Sequence, residues 1–198
     1  MRARGQALPI SQGRASIVSE PLYLDCCVVL NVYATRRFEE ILEANRGRVA
    51  SSFIVAERVT RETMYVRNRE GEEREAVNLQ ASLDHGVLTV ERLESEDEMA
   101  TFVMLAAVLD DGEAETGALA FHRAGAIATD DVAAIRTFGA LSPALQIVRT
   151  SQLLKGWAEN GGAAQASVRQ ALHDIRDRAR FVPNVTDPLQ KWWEGVAA

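Results

Sequence analysis

Asp25 interrupts the apolar run at residues 22–30 (LYLDCCVVL). An ionised side chain there is costly unless it is paired, hydrogen-bonded or neutralised by a cation. A second acidic position, Asp130-Asp131, closes the short apolar run at residues 126–129 (AIAT), and residues 110–115 (DDGEAE) place Asp110, Asp111, Glu113 and Glu115 ahead of an apolar helix. Glu57 lies among Phe53, Ile54, Val55, Ala56 and Val59, whereas Glu62, beside Arg61 and one turn from Arg58, reads as exposed. Each acid has an ordinary alternative. Asp25 can be salt-bridged or backbone-bonded, Asp130-Asp131 can cap a helix, and acids at 110–115 favour a helix macrodipole. Together, however, acids on four different elements with no matching set of buried bases point to a hard-cation site. Carboxylate oxygens select Mg²⁺ or Mn²⁺ in such sites.

These acids need elements to position them. Residues 22–30 read as a strand buried on both faces, and residues 31–45 as a helix stopped at Gly47. Residues 48–51 suit a short second strand, with Ser51 and Ser52 capping a helix over 53–67. The charged stretch 69–75 (REGEERE) reads as a solvated connection or helix start. A strand is expected at 87–90, then a capping box (Ser95, Glu98) before an apolar helix at 99–109. A helix from Gly112 to about Ala124, a strand at 126–129 and a helix at 132–138 follow. Beyond Leu141 the pattern gives an edge strand at 145–148, helices at 151–159 and 165–180, and a C-terminal segment wrapping back through Trp192 and Trp193. Strands alternating with helices predict an α/β fold with a mainly parallel central sheet. Residues 1–20, with Arg2, Arg4 and Arg14, read as an N-terminal tail, residues 21–198 as one domain, and 142–198 as a helical extension packed on it.

Composition sets the limits. A chain of 198 residues with 47% hydrophobic and 25% charged side chains is long enough for one proper core. Its net charge of −6 disfavours nucleic-acid binding by bulk charge alone. Any RNA would need local arginines, with Arg36, Arg37, Arg58, Arg61, Arg67 and Arg69 the candidates. No stacking platform for bases is evident in the sequence. No run reaches a membrane span, and residues 6–20 are too polar for the centre of a signal peptide, so a cytoplasmic protein is expected. Cys26 and Cys27 are too few for a disulfide framework or a four-ligand zinc site. His85, His122 and His173 lack metal-ligand spacing, and no nucleotide-binding glycine loop or nucleophile elbow is present.

Four stretches resemble the PIN-domain family of VapC-type toxin ribonucleases: residues 23–31 (YLDCCVVLN), 51–57 (SSFIVAE), 112–120 (GEAETGALA) and 126–131 (AIATDD). The third has the Gly-Glu-Ala-Glu form of one subgroup, whose tail residues 180–183 (RFVP) and Trp192-Trp193 also resemble. The resemblance implies a three-layer α/β/α sandwich and a Mg²⁺- or Mn²⁺-dependent endoribonuclease, the toxin of a toxin–antitoxin pair, with homodimerisation and an antitoxin partner. It implies Asp25, Glu57, Glu113 and Asp131 as catalytic and metal acids. Glu115 stands as the alternative to Glu113, Asp130 to Asp131, and Glu62 to Glu57. The hydroxyl often following the first aspartate is here Cys26-Cys27, which predicts a lost supporting hydrogen bond. The competing expectation is a non-catalytic PIN-like module that binds RNA or protein; a metal-dependent phosphatase or DNA nuclease with the same acids is a third.

Overall fold

The strand β1 is only Leu22–Leu24, because Asp25 caps a helix rather than continuing the strand. In the computed structural model, which describes residues 20–62, 64–68 and 73–198, the Asp25 backbone is extended while its carbonyl already accepts from Val28 and Val29 N–H. The expected strand at 22–30 is thus a strand followed by α1 (Cys26–Ala34). A buried helix and a buried strand share the same apolar run, and length alone separates them. The expected helix at 31–45 is likewise divided, and α2 begins at Phe38 (Phe38–Asn45). The break sits at Thr35, whose hydroxyl donates to Val32 C=O and accepts from Arg37 N–H, and at Arg36, held at φ 60°.

The second strand differs too. Residues 48–51 form a turn through the left-handed Gly47, and β2 is Phe53–Ala56, where the sequence pattern predicted helix. Phe, Ile and Val favour a buried strand, and these four residues are covered on both faces. Then come α3 (Glu57–Arg61), an antiparallel hairpin of β3 (Tyr65–Arg67) and β4 (Arg74–Ala76), α4 (Gln80–Asp84) and β5 (Thr89–Glu91). Helices α5 (Glu96–Leu105) and α6 (Asp111–His122) lead to β6 (Ala126–Ala128), α7 (Val132–Leu141) and the edge strand β7 (Ile147–Val148). Helices α8 (Thr150–Asn160) and α9 (Gln165–Asp174), a π-helical turn (Ile175–Ala179) and α10 (Gln190–Ala197) complete the described chain. The expected tail, Glu20 apart, and Arg69 lie outside the described residues.

The central sheet has five strands in the order β5-β2-β1-β6-β7, every neighbouring pair parallel. Helices α5 and α6 cover one face and α1, α2 and α8 form the other layer, a three-layer α/β/α sandwich as predicted. From β1 the chain moves outward through β2 to β5, then returns to the other side of β1 for β6 and β7. The order therefore reverses between β1 and β6. In an open parallel sheet the crevice beyond the carboxyl ends of strands at such a reversal is where ligands bind. Trp157 is fully buried between the layers, and Trp193 packs edge-on to Phe181 at 5.8 Å, so both carry structure, as expected. Among the described residues no helix is long and apolar enough to cross a membrane.

Beside β5, the far edge of the sheet, Arg123 locks three elements together. It donates to Glu91 and Glu98 at 2.7 Å each and to the Arg92 carbonyl, while Glu91 also accepts from the buried Tyr23 hydroxyl. Glu98 completes the capping box of α5 and is 5% exposed. The Arg123 guanidinium holds the Glu98 carboxyl down at about 2. Because the folded value is depressed, this stabilisation is full above the ordinary glutamate range and is lost as pH falls from about 4.5 toward 2. Arg123→Ala is expected to cost about 2 kcal/mol at neutral pH by stranding Glu98, and to remove most of that acid-limb loss. Urea unfolding at neutral pH and near pH 3 checks both.

Candidate functional site

The register that pairs Leu24 with Ala128 brings the residues after β1 and β6 side by side. Asp25 N–H continues the ladder to Ala128 C=O, and Thr129 then faces the Asp25 carboxylate. Asp25 is 2% exposed. Its Oδ1 accepts from Cys26 N–H at 2.7 Å, and its Oδ2 accepts from the Thr129 hydroxyl at 2.9 Å and the Cys27 thiol at 3.1 Å. The hydrogen bond expected to be lost with the cysteines is therefore present. Cys27 supplies one donor, and a hydroxyl arrives from the neighbouring strand instead of from the residue after Asp25. Among the described residues no cation pairs with Asp25, and burial pushes its carboxyl above the usual range.

Three helix starts aim at this point. Asp25 caps α1, Asp110 caps α6 by accepting from Glu113 N–H at 2.8 Å, and Asp131 caps α7 by accepting from Ala133 and Ala134 N–H at 2.7 and 2.8 Å. Glu113, in the first turn of α6, is pushed up to about 7 by burial first, then by the negative charges of Asp25, Asp110 and Asp131. The positive ends of the helix dipoles offset part of this crowding. Structural capping and a shared acidic pocket, posed as alternatives by the sequence, are combined in the same side chains.

The remaining candidates separate clearly. Glu57 turns away: it pairs with Arg61 at 2.9 Å and lines a small cleft of about 290 Å³ with Arg92 and Arg123 near β5. Glu62 is exposed, as its sequence setting indicates, and lies on the Asp25 side instead. Burial, with Asp110, Asp25 and Asp111 nearby, raises its carboxyl, and the Cys26 thiol hydrogen-bonds to it. Gly112 makes room for it, since a Cβ there would stand 2.3 Å from Glu62 Oε1. Glu115 is buried and accepts from Arg58 N–H at 2.7 Å, tying α6 to the start of α3. Asp130 accepts from Asn31 Nδ2 and from both the backbone N–H and hydroxyl of Thr150, joining α1, β6 and α8. Both Glu115 and Asp130 thus have structural work that Glu113 and Asp131 lack on their outer oxygens.

The crevice therefore gathers Asp25, Glu62, Asp110, Glu113 and Asp131, with Thr129 and Cys27 as orienting donors. Sequence spacing missed Asp110 and Thr129 as members; the signals for them were the N-cap before Glu113 and the threonine ending the β6 run. Among the described residues no group of three or more His, Cys, Asp or Glu side chains stands assembled to hold a metal ion. Asp131 also lines a cleft of about 830 Å³, which continues toward the β3–β4 hairpin. Of the described arginines proposed for RNA, only Arg67 lines that cleft. Arg58 is drawn to Asp111 at 3.3 Å and lies over Phe102, Arg61 pairs with Glu57, and Arg36 and Arg37 line a separate cleft. Comparison of the chain with protein-family models, with curated proteins and with solved structures returned no match.

The raised Glu113 value has a direct consequence for the metal-free chain. The folded protein holds a proton that the unfolded chain releases near pH 4.5, so stability falls as pH rises from about 4.5 through about 7. Glu113→Gln is expected to flatten that decline and raise the melting temperature at pH 8 by about 2–4 °C, the scale of about 1 kcal/mol in a chain of this size. Thermal melts in EDTA between pH 5 and pH 8 measure it, and an unchanged slope would take Glu113 out of the cluster.

Proposed function

We propose that the chain is a PIN-like, Mg²⁺- or Mn²⁺-dependent endoribonuclease that hydrolyses RNA phosphodiester bonds at the crevice between β1 and β6. One observation carries this reading: acids from three helix starts converge where the sheet order reverses, and among the described residues no basic side chain is built in among them. A set that keeps its repulsion is one whose partner arrives from solution.

The donor set fits a hard divalent ion in its chemistry. All the candidate ligands are carboxylate oxygens, and Asp25 is oriented by one donor on Oδ1 and two on Oδ2, which leaves a lone pair on Oδ1. Asp25, Glu113 and Asp131 would hold the ion, with Asp110 and Glu62 beside them. When bound, such an ion supplies charge neutralisation at a phosphoryl group and acidifies water. The chain's own contribution is orientation and proton handling. Thr129 and Cys27 fix the plane of the Asp25 carboxylate, and Glu113 holds or releases a proton near neutral pH while the pocket is free of cations. The three helix N-termini offer partial positive charge to an incoming phosphate. A toxin role restrained by an antitoxin protein belongs to the same reading.

A second reading, the non-catalytic module, draws on the absence of a preassembled ligand group among the described residues. The two separate on activity. Asp25→Asn, which preserves size and one acceptor oxygen and leaves the Thr129 hydroxyl or the Cys26 N–H to re-pair with an amide, is expected to lower Mg²⁺- or Mn²⁺-dependent RNA cleavage by at least about a thousandfold, as expected for removing a central electrostatic group. Its circular dichroism should be unchanged. Glu62→Gln is expected to reduce cleavage and Glu57→Gln to leave it near the parent rate. RNA, DNA and a small phosphomonoester assayed side by side define the substrate class; cleavage that survives Asp25→Asn ends the assignment, and calorimetry showing no Mn²⁺ uptake favours the module.

A further inference from the structure

The large cleft that Asp131 shares with the acidic crevice has a second wall of opposite character. The β3–β4 hairpin contributes Tyr65, Arg67 and Arg74, and the chain after the π-helical turn contributes Arg180, Phe181 and Val182. Arg178 builds this wall. Its side chain is 1% exposed and donates to the Arg67 carbonyl at 2.8 Å, to the Ala34 carbonyl and to Glu75 at 2.6 Å, bolting the hairpin to α1 and to the π-helical turn. That guanidinium is neutralised. Among the described residues Arg67, Arg74 and Arg180 have no carboxylate partner, although elsewhere the chain pairs Arg37, Arg46, Arg61, Arg123 and Arg176 with acids. Among the described residues of the hairpin, Glu73 is the carboxylate that lines the cleft.

Tyr65 is the other anomaly. Strand alternation buries Val66 beneath the hairpin and turns Tyr65 outward with 45% of its surface exposed. The Arg74 guanidinium lies 5.8 Å from its ring centroid, a cation–π contact that steadies the ring. Opposite, Val182 is 52% exposed beside the half-buried Phe181. Guanidiniums with no carboxylate partner among the described residues, interleaved with an exposed aromatic face, match a chain that alternates phosphates with flat bases. In a duplex the bases present only their edges, and the ring faces are already stacked. An acidic peptide would satisfy the arginines but leave the ring without a flat partner.

We propose that this cleft is the subsite that holds an unpaired RNA strand beside the acidic crevice, with Tyr65 stacking a base and Arg67, Arg74 and Arg180 contacting phosphates. The identity of the strand as RNA rests on the nuclease reading above. The subsite is set apart from that reading by its own residues, none of which belongs to the acid cluster. It also resolves the charge problem, because the arginines needed for a polyanion are collected on one wall of a chain whose net charge is −6.

Fluorescence anisotropy tests it on the full chain in the Asp25→Asn background with Mg²⁺, so that binding is read without cleavage. Labelled oligouridine is expected to bind at least about tenfold tighter than a blunt RNA duplex of the same length. Tyr65→Ala should weaken oligouridine at least about fivefold and Tyr65→Trp should preserve it, the signature of stacking. Arg74→Ala with Arg180→Ala should reduce the slope of log affinity against log salt by about 1.4, two phosphate contacts on a single strand. Parent affinity in a folded Tyr65→Ala chain, or equal affinity for the duplex, overturns the subsite. If the parent chain cleaves RNA while binding ignores Tyr65, this inference fails and the nuclease reading stands. If Tyr65-dependent binding appears with no cleavage by the parent chain, the subsite stands and the nuclease reading fails.

Discussion

Asp25 is nearly sealed from solvent at the one place in the sheet where the strand order reverses, and most of the neighbouring structure follows from keeping it there. A buried carboxylate must be satisfied or neutralised. Its oxygens draw a backbone N–H from α1, a thiol from Cys27 and a hydroxyl from Thr129, so the first turn of α1 and the end of β6 are fixed relative to each other. The same requirement explains the shortness of β1. The strand stops where its last residue begins to serve as a helix cap.

Hydrogen bonds satisfy Asp25 without discharging it. The neighbouring acids make the point sharper, because Asp110 and Asp131 each spend one oxygen on a helix cap and keep the other, while Glu113 sits between them without a basic partner. Capping geometry alone tolerates serine, threonine or asparagine equally well. Aspartate at all three caps, with Glu113 added, is a choice of charge over geometry. Contrast the far edge of the sheet, where Glu91 and Glu98 are matched by Arg123. At that edge an arginine balances the acids; around the reversal point the described residues place none beside Asp25, Asp110, Glu113 and Asp131.

Much of this was legible in the residues themselves. The α/β class, the capping box at Ser95 and Glu98, the strand at 126–128 and the helices on either side of Gly161-Gly162 follow from local patterns that packing had no reason to override. Asp25 and Asp131 stood out because charge inside or just after an apolar run is rare enough to notice, whereas Glu113 was named by the Gly-Glu-Ala-Glu resemblance, with Glu115 as its alternative. What the sequence hid were choices made by tertiary contact. FIVA at 53–56 became a strand because the sheet covers both its faces, and that shift carried Glu57 onto the β5 side while Glu62 turned toward Asp25. Gly112, which reads only as a break before a helix, turned out to be the space that Glu62 occupies. Tyr65 and Arg74 were unreadable as a pair, since their meeting depends on hairpin register.

The two walls of the large cleft explain each other. Unpaired arginines beside unpaired carboxylates in one connected cleft would ordinarily collapse into ion pairs, each worth little at the surface but favourable enough to form. Arg178 fixes the hairpin to α1 and to the π-helical turn from beneath, through two carbonyls and Glu75, and so holds the arginine wall in place in the cleft that Asp131 also lines. The left-handed Arg180, at φ 58°, follows directly and turns the chain into the cleft wall at some cost in backbone strain. A fold that holds opposite charges apart keeps both available to a third party. A ligand carrying phosphates for one wall and accepting a divalent ion at the other satisfies both, and a polynucleotide is the common biological molecule that does so along its own length.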